Sequence, residues 1–85
     1  MEKEQNTVAQ TPAADKMDEI NRLLNEVYVS MTERGYDPIT QFVAYILSDD
    51  PANITSHNDA RSKIRSYDRD ELLRAFVEKY FADKK

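Results

Sequence analysis

The apolar side chains of this sequence recur at intervals of three and four residues, in successive runs, and no stretch shows the strict alternation of a strand. That spacing matches the 3.6-residue repeat of an α-helix with one face buried. Ile20, Leu23, Leu24, Val27, Tyr28 and Met31 form the first run and predict a helix from about Asp15. Gly35, the single glycine of the chain, follows Glu33-Arg34, where a left-handed residue closes a last helical turn. Asp37 is placed to cap a second helix, with Pro38 at its first position, where a missing N–H is harmless. Ile39, Phe42, Val43, Ile46 and Leu47 cover nearly half of that helix, which predicts the central and most buried one.

Ser48-Asp49-Asp50-Pro51 stops the second run, and Asp50 before Pro51 repeats the order of cap then proline, predicting a single turn through Ile54. Ser56 stands three residues before Asp59, close to a capping box, ahead of a short helix whose inner face is Ala60, Ile64 and Tyr67. Asp68 and Glu71 repeat that spacing before Leu72, Leu73, Phe76, Val77, Tyr80 and Phe81, a final amphipathic helix with a lysine-rich end. Residues 1–14 hold Val8 as their one large aliphatic side chain between the two ends, too little apolar surface to offset an ordering entropy of about 1–2 kcal/mol per residue. The expected organisation is therefore a disordered tail over 1–14 and an all-α domain over 15–85, a compact bundle of four to five short helices.

Several function classes are disfavoured at this point. With no cysteine among 85 residues there is no disulfide framework and no thiolate metal site, and a reducing compartment is expected. No stretch approaches the ~20 apolar residues of a membrane span, and Met1 to Gln10 has neither a basic start nor an apolar run for export, so a cytoplasmic protein without membrane insertion is expected. The net charge of −4 argues against nucleic-acid binding, although short helices around Pro51 beside a basic stripe leave a helix-turn-helix protein as the alternative. Charge is also uneven, −6 over residues 1–56 and +2 over residues 57–85, which suits docking on an oppositely charged surface. One histidine and no nucleophile, phosphate-loop or paired-ligand motif make an enzyme, a cofactor or a metal site unexpected; Asp49 and Asp50 serve better as helix stop and cap than as a metal pair.

The constellation that remains is His57, Arg61, Arg65 and Arg69. Steps of four put the first three on one helical stripe, with Arg69 near the next junction, so that their donors can converge on a phosphate or carboxylate. The competing reading pairs these arginines with Asp59, Asp68, Asp70 and Glu71 on a solvated face, each exposed pair contributing ~0–1 kcal/mol. Thr7 and Thr11 are the hydroxyls of the tail, and phosphate on either adds about −1.5 to −2 charges and strong acceptors.

The run Arg34-Gly35-Tyr36-Asp37-Pro38-Ile39-Thr40-Gln41-Phe42-Val43-Ala44-Tyr45-Ile46-Leu47-Ser48-Asp49-Asp50-Pro51, followed by His57, Asp59-Ala60-Arg61, Ile64-Arg65 and Arg69-Asp70-Glu71, resembles the IreB family of regulatory phosphoproteins (also ReoM or YrzL) of low-GC Gram-positive bacteria. The resemblance covers roughly Glu26 to Tyr80. It implies a helical homodimer phosphorylated on an N-terminal threonine by a transmembrane Ser/Thr kinase and reversed by a cognate phosphatase. It further implies control of peptidoglycan synthesis and of resistance to wall-active antibiotics, through a downstream protein linked to regulated proteolysis. Thr7 matches the modified threonine of the family, while Ala9-Gln10 replaces the aromatic residue that usually follows, so Thr11 stays open as the acceptor. Ser56 stands where an arginine is common, and Asp49 replaces a glycine. The edges of the first and last helices are the expected dimer surfaces, and a non-phosphorylated assembly factor is the remaining alternative.

Overall fold

Residues 14–84 are described by the computed structural model, and the expected acceptor tail with Thr7 and Thr11 lies outside them. The described residues form four α-helices and no strand: α1 (Ala14–Glu33), α2 (Pro38–Ser48), α3 (Ala60–Ile64) and α4 (Arg69–Tyr80). Single 3₁₀ turns occupy Pro51–Asn53, His57–Asp59 and Ala82–Lys84.

The first run of apolar residues makes α1 the spine. Ile20, Val27 and Met31 are completely buried, with Met17 and Leu24 nearly so, and they meet Ile54, Ala60, Ile64, Leu72 and Ala75 in one core. Tyr28, included in the sequence pattern, turns to solvent. Gly35 closes α1 as expected, at φ +79°, with its N–H donating to Thr32 O and the Tyr36 N–H donating to Met31 O, both at 3.0 Å. Asp37 caps α2: its carboxylate accepts the Ile39 N–H at 3.1 Å and the Thr40 hydroxyl at 2.8 Å, and Pro38 takes the first helical position. Asp50 caps the 3₁₀ turn that Pro51 opens by accepting the Ala52 N–H at 3.0 Å.

Two expectations fail. The second helix is not the buried centre of the fold: Phe42 and Tyr45 are buried and Ile46 packs partly buried against the core, whereas Ile39, Val43 and Leu47 are 67%, 52% and 79% exposed. The reason is that α3 and α4 already cover the apolar stripe of α1, so α2 packs at the edge and points a second apolar face outward. Nor does Ser56 form a capping box. Its side chain caps nothing, and the next residues make a 3₁₀ turn in which Asn58 and Asp59 are left-handed (φ +56° and +60°), so α3 begins only at Ala60. At α4 the Glu71 half of the expected box is present, its carboxylate accepting the Asp68 N–H at 3.0 Å.

Polar contacts fix the segment 57–71 antiparallel to α1. His57 Nε2 lies 3.0 Å from Glu33, Lys63 Nζ is 3.2 Å from Glu26, the Tyr67 hydroxyl donates to Glu19 at 3.0 Å, and Lys16 pairs with Glu71 at 2.6 Å. As numbering rises along this segment it falls along α1, so the register of the bundle can be followed pair by pair. The hydrogen bond from Lys16, then the Asp68 N–H, holds the Glu71 carboxyl below its ordinary 4.5.

Two outcomes follow from these anchors. Gly35→Ala meets no neighbouring atom but forces an L-residue into the left-handed region, and should lower stability by about 1–2 kcal/mol, read as a reduced Tm. Because the Glu71 carboxyl is depressed in the folded state, its contribution is present above the ordinary value and lost as pH falls through the folded one. Glu71→Gln should therefore flatten the decline of Tm on acidification below about pH 4.5, while an unchanged acid limb would show the pair to be energetically silent.

Candidate anion-docking site

The stripe His57, Arg61, Arg65 and Arg69 does not lie on one helix, because the left-handed pair Asn58-Asp59 breaks the backbone after His57 and Arg65 is already the C-cap of α3. The structure divides the four residues between two clefts. His57 and Arg61 share a cleft of about 430 Å³ with Arg34, Tyr36, Gln41 and Thr55, between the end of α1, the start of α2 and the 3₁₀ turns. Arg65 and Arg69 line a smaller one, about 290 Å³, with Tyr45, Asp49, Tyr67 and Asp68.

Electrostatics separate the two. No acidic side chain lines the larger cleft, although Glu33 reaches its rim through His57. The second cleft holds two carboxylates against two guanidiniums, and one pair is already made: Arg69 Nε is 3.2 Å from Asp49, and Arg69 also donates to Ile46 O at 2.9 Å. Tyr45, at the floor of this cleft, has its phenol raised by burial and by Asp49, with Arg65 and Arg69 opposing. Asp49 is left-handed at φ +58°, a conformation that favours glycine; aspartate tolerates it and uses its side chain to hold Arg69.

The larger cleft is built from local geometry. Arg61 Nε donates to Ile54 O at 2.9 Å, which fixes the guanidinium, and its terminal nitrogens have no partner among the described residues. His57 is held from two sides, by Glu33 at Nε2 and by its own N–H donating to Thr55 Oγ1 at 3.2 Å; Asn58 also donates to Glu33, at 3.1 Å. Arg34 arrives because Gly35 turns the chain immediately after α1, and among the described residues its side chain makes no ion pair or hydrogen bond. Gln41 stands within an apolar helix, and its Oε1 is buried without a hydrogen-bond partner among the described residues. Two guanidinium groups without a carboxylate partner among the described residues suit an oxyanion better than an apolar ligand.

None of Arg61, Arg65 and Arg69 pairs with Asp59, Asp68, Asp70 or Glu71 among the described residues; the exposed ion pair that forms is Arg69 with Asp49. Sequence reasoning missed Arg34, Tyr36 and Gln41. The first two were absorbed into the helix stop, and the available signal for the third was an amide interrupting an otherwise apolar run.

A family profile described as IreB regulatory phosphoprotein matches residues 5–82. A UPF0297 protein from Acetivibrio thermocellus is 49% identical over 69 residues, an alignment that covers 81% of this chain and 77% of the relative. Together with the helical fold and its cationic cleft, these matches show that the chain belongs to the IreB family of regulatory phosphoproteins.

Proposed function

We propose that this chain is the switchable component of a cell-envelope signalling pathway. A transmembrane Ser/Thr kinase phosphorylates Thr7, with Thr11 as the alternative acceptor, and a cognate phosphatase reverses it. The helical domain docks a downstream protein through His57, Arg61, Arg65 and Arg69, and phosphorylation decides which partner is bound. The output is control of peptidoglycan synthesis, and hence of resistance to wall-active antibiotics, through regulated proteolysis of an enzyme of that pathway. The supporting observation is the cleft around Arg34, His57 and Arg61, which no acidic side chain lines although Glu33 meets His57 at its rim, in a member of a regulatory phosphoprotein family. The acidic balance of the chain weighs against the helix-turn-helix alternative.

The chain acts as a homodimer. Ile39, Val43 and Leu47 repeat at steps of four along α2, and Leu73 and Phe76 of α4 complete the patch above an edge-to-face contact between Phe42 and Phe76, ring centroids 5.2 Å apart. A contiguous apolar face of this kind on so small a domain favours a self-complementary two-fold contact. The interface proposed is this α2–α4 face, beside the edges of α1 and α4 that the sequence suggested.

Intact mass after incubation with the host's Ser/Thr kinase should rise by one phosphate in the wild type and fail to do so in Thr7→Ala. Loss only in Thr11→Ala would move the acceptor, and no phosphate in any chain would sink the regulatory reading. Arg61→Ala with Arg65→Ala should abolish capture of the downstream protein with an unchanged circular dichroism spectrum. Val43→Asp with Leu47→Glu should convert a dimer to a monomer by analytical ultracentrifugation, and a wild type that sediments as a monomer at high micromolar concentration would remove the dimer from the scheme.

A further inference from the structure

His57 is held so that one ring nitrogen is left for a ligand. Its Nε2 lies 3.0 Å from Glu33, whose carboxylate also accepts the Asn58 amide at 3.1 Å. A carboxylate can only accept, so the hydrogen of the neutral imidazole sits on Nε2 and Nδ1 carries a lone pair. Nδ1 has no hydrogen-bond partner among the described residues. His57 lines the larger cleft, and in its neutral form the nitrogen it has to offer there is an acceptor. Only the imidazolium, protonated at both nitrogens, supplies a donor and a positive charge.

The charged groups around that ring favour an anion. The end of α1 brings Glu33 and, one residue on, Arg34; the turn into α2 brings Tyr36; α3 brings Arg61; and α2 contributes Gln41, which is neutral. Asp59, on the same 3₁₀ turn as His57, lines a separate hollow with Lys63. Arg34 makes no ion pair or hydrogen bond among the described residues, and Arg61 uses only its Nε, on Ile54 O. Two guanidiniums balance a dianion, whereas a single carboxylate leaves one of them uncompensated. An anion between them also stabilises the imidazolium beside it, through its charge and through a hydrogen bond from Nδ1.

We infer that the cleft of Arg34, His57 and Arg61 binds a tetrahedral dianion of the phosphate class, free or esterified, and that His57 takes up a proton from solvent as it does so. Glu33 is a positioning residue in this scheme, since it fixes the tautomer that leaves the neutral ring without a donor for the cleft. Binding is strongest while the imidazole is charged and weakens as pH rises and the proton is lost. The inference deepens the docking role proposed above and rests on it for a biological partner, but it calls on neither Thr7 nor Thr11.

His57 is the single histidine of the full chain, so its Cε1–H signal can be followed by NMR without ambiguity. Its titration is recorded in sodium chloride and in sodium sulfate at equal ionic strength. Sulfate is the probe because it stays doubly charged throughout, whereas a phosphate ester takes up a proton near pH 6. The expected result is a midpoint higher in saturating sulfate by about 0.5–1 pH unit, which corresponds to sulfate binding the charged ring about three- to tenfold more tightly than the neutral one. Arg34→Gln, an exposed change that removes no polar contact among the described residues, should abolish most of that rise. Glu33→Gln should shrink it, because a glutamine amide can donate to Nε2 and let the neutral ring carry its hydrogen on Nδ1. At pH 7.5, inorganic phosphate and a phosphoserine peptide with uncharged neighbours should each shift the signal, and whichever acts at the lower concentration tells a free ion from an esterified group. An equal midpoint in the two salts, an undiminished rise in either variant, or no response to either phosphate overturns the inference. An equal midpoint alongside capture of the downstream protein defeats this inference alone, and a raised midpoint alongside capture that survives Arg61→Ala with Arg65→Ala defeats the docking reading alone.

Discussion

The apolar stripe of α1 is the constraint on which the other elements depend. Ile20, Val27 and Met31 have no exposed surface, and each remaining segment takes its place by covering some part of that stripe. A domain of this size buries a modest core, so removal of one of these side chains to alanine would cost about 2–5 kcal/mol, a large share of its stability. The returning segment 57–71 does most of the covering with Ala60, Ile64 and Leu72, and its ion pairs with Glu33, Glu26 and Lys16 set the register without supplying much energy. Register also decides placement, since it sends His57 to the end of α1 and Glu71 toward its start.

The same packing produces two surfaces of different character. Once α3 and α4 occupy the stripe, α2 gives Phe42, Tyr45 and part of Ile46 to the core and is left with an outward apolar face. On the other side of α2, Gln41 turns into the cationic cleft. One short helix thus carries residues suited to pairing with another copy and residues suited to binding an anion. That adjacency puts an apolar face and a cationic cleft on one short helix of a member of a regulatory phosphoprotein family.

Backbone geometry decides where the cations go. Gly35 at φ +79° swings Arg34 and Tyr36 away from the axis of α1, and Asn58 with Asp59, both left-handed, interrupt what would otherwise be a continuous helix from His57. Asp49 is a third such position, and its side chain engages Arg69. Each of these turns reorients a charged neighbour, so the two clefts reflect left-handed turns at three places more than one helical stripe.

Much of this was legible in the residues themselves. The helices, the Gly35 stop, the Asp37-Pro38 and Asp50-Pro51 starts and the buried face of α1 follow from short-range chemistry: caps, fixed φ values and a 3.6-residue period act between neighbours in the chain. What covers what does not. The apolar run of α2 looks like the heart of a core because periodicity reports that a face is greasy, not which partner buries it, and α3 and α4 had already filled the place. The cluster at His57 was visible as a basic spacing, but its division into two clefts, and the recruitment of Arg34 and Gln41 from residues distant in sequence, depended on left-handed turns and on the antiparallel register. Local propensity set the elements; competition among apolar faces for one stripe of α1 set their arrangement, and with it the site.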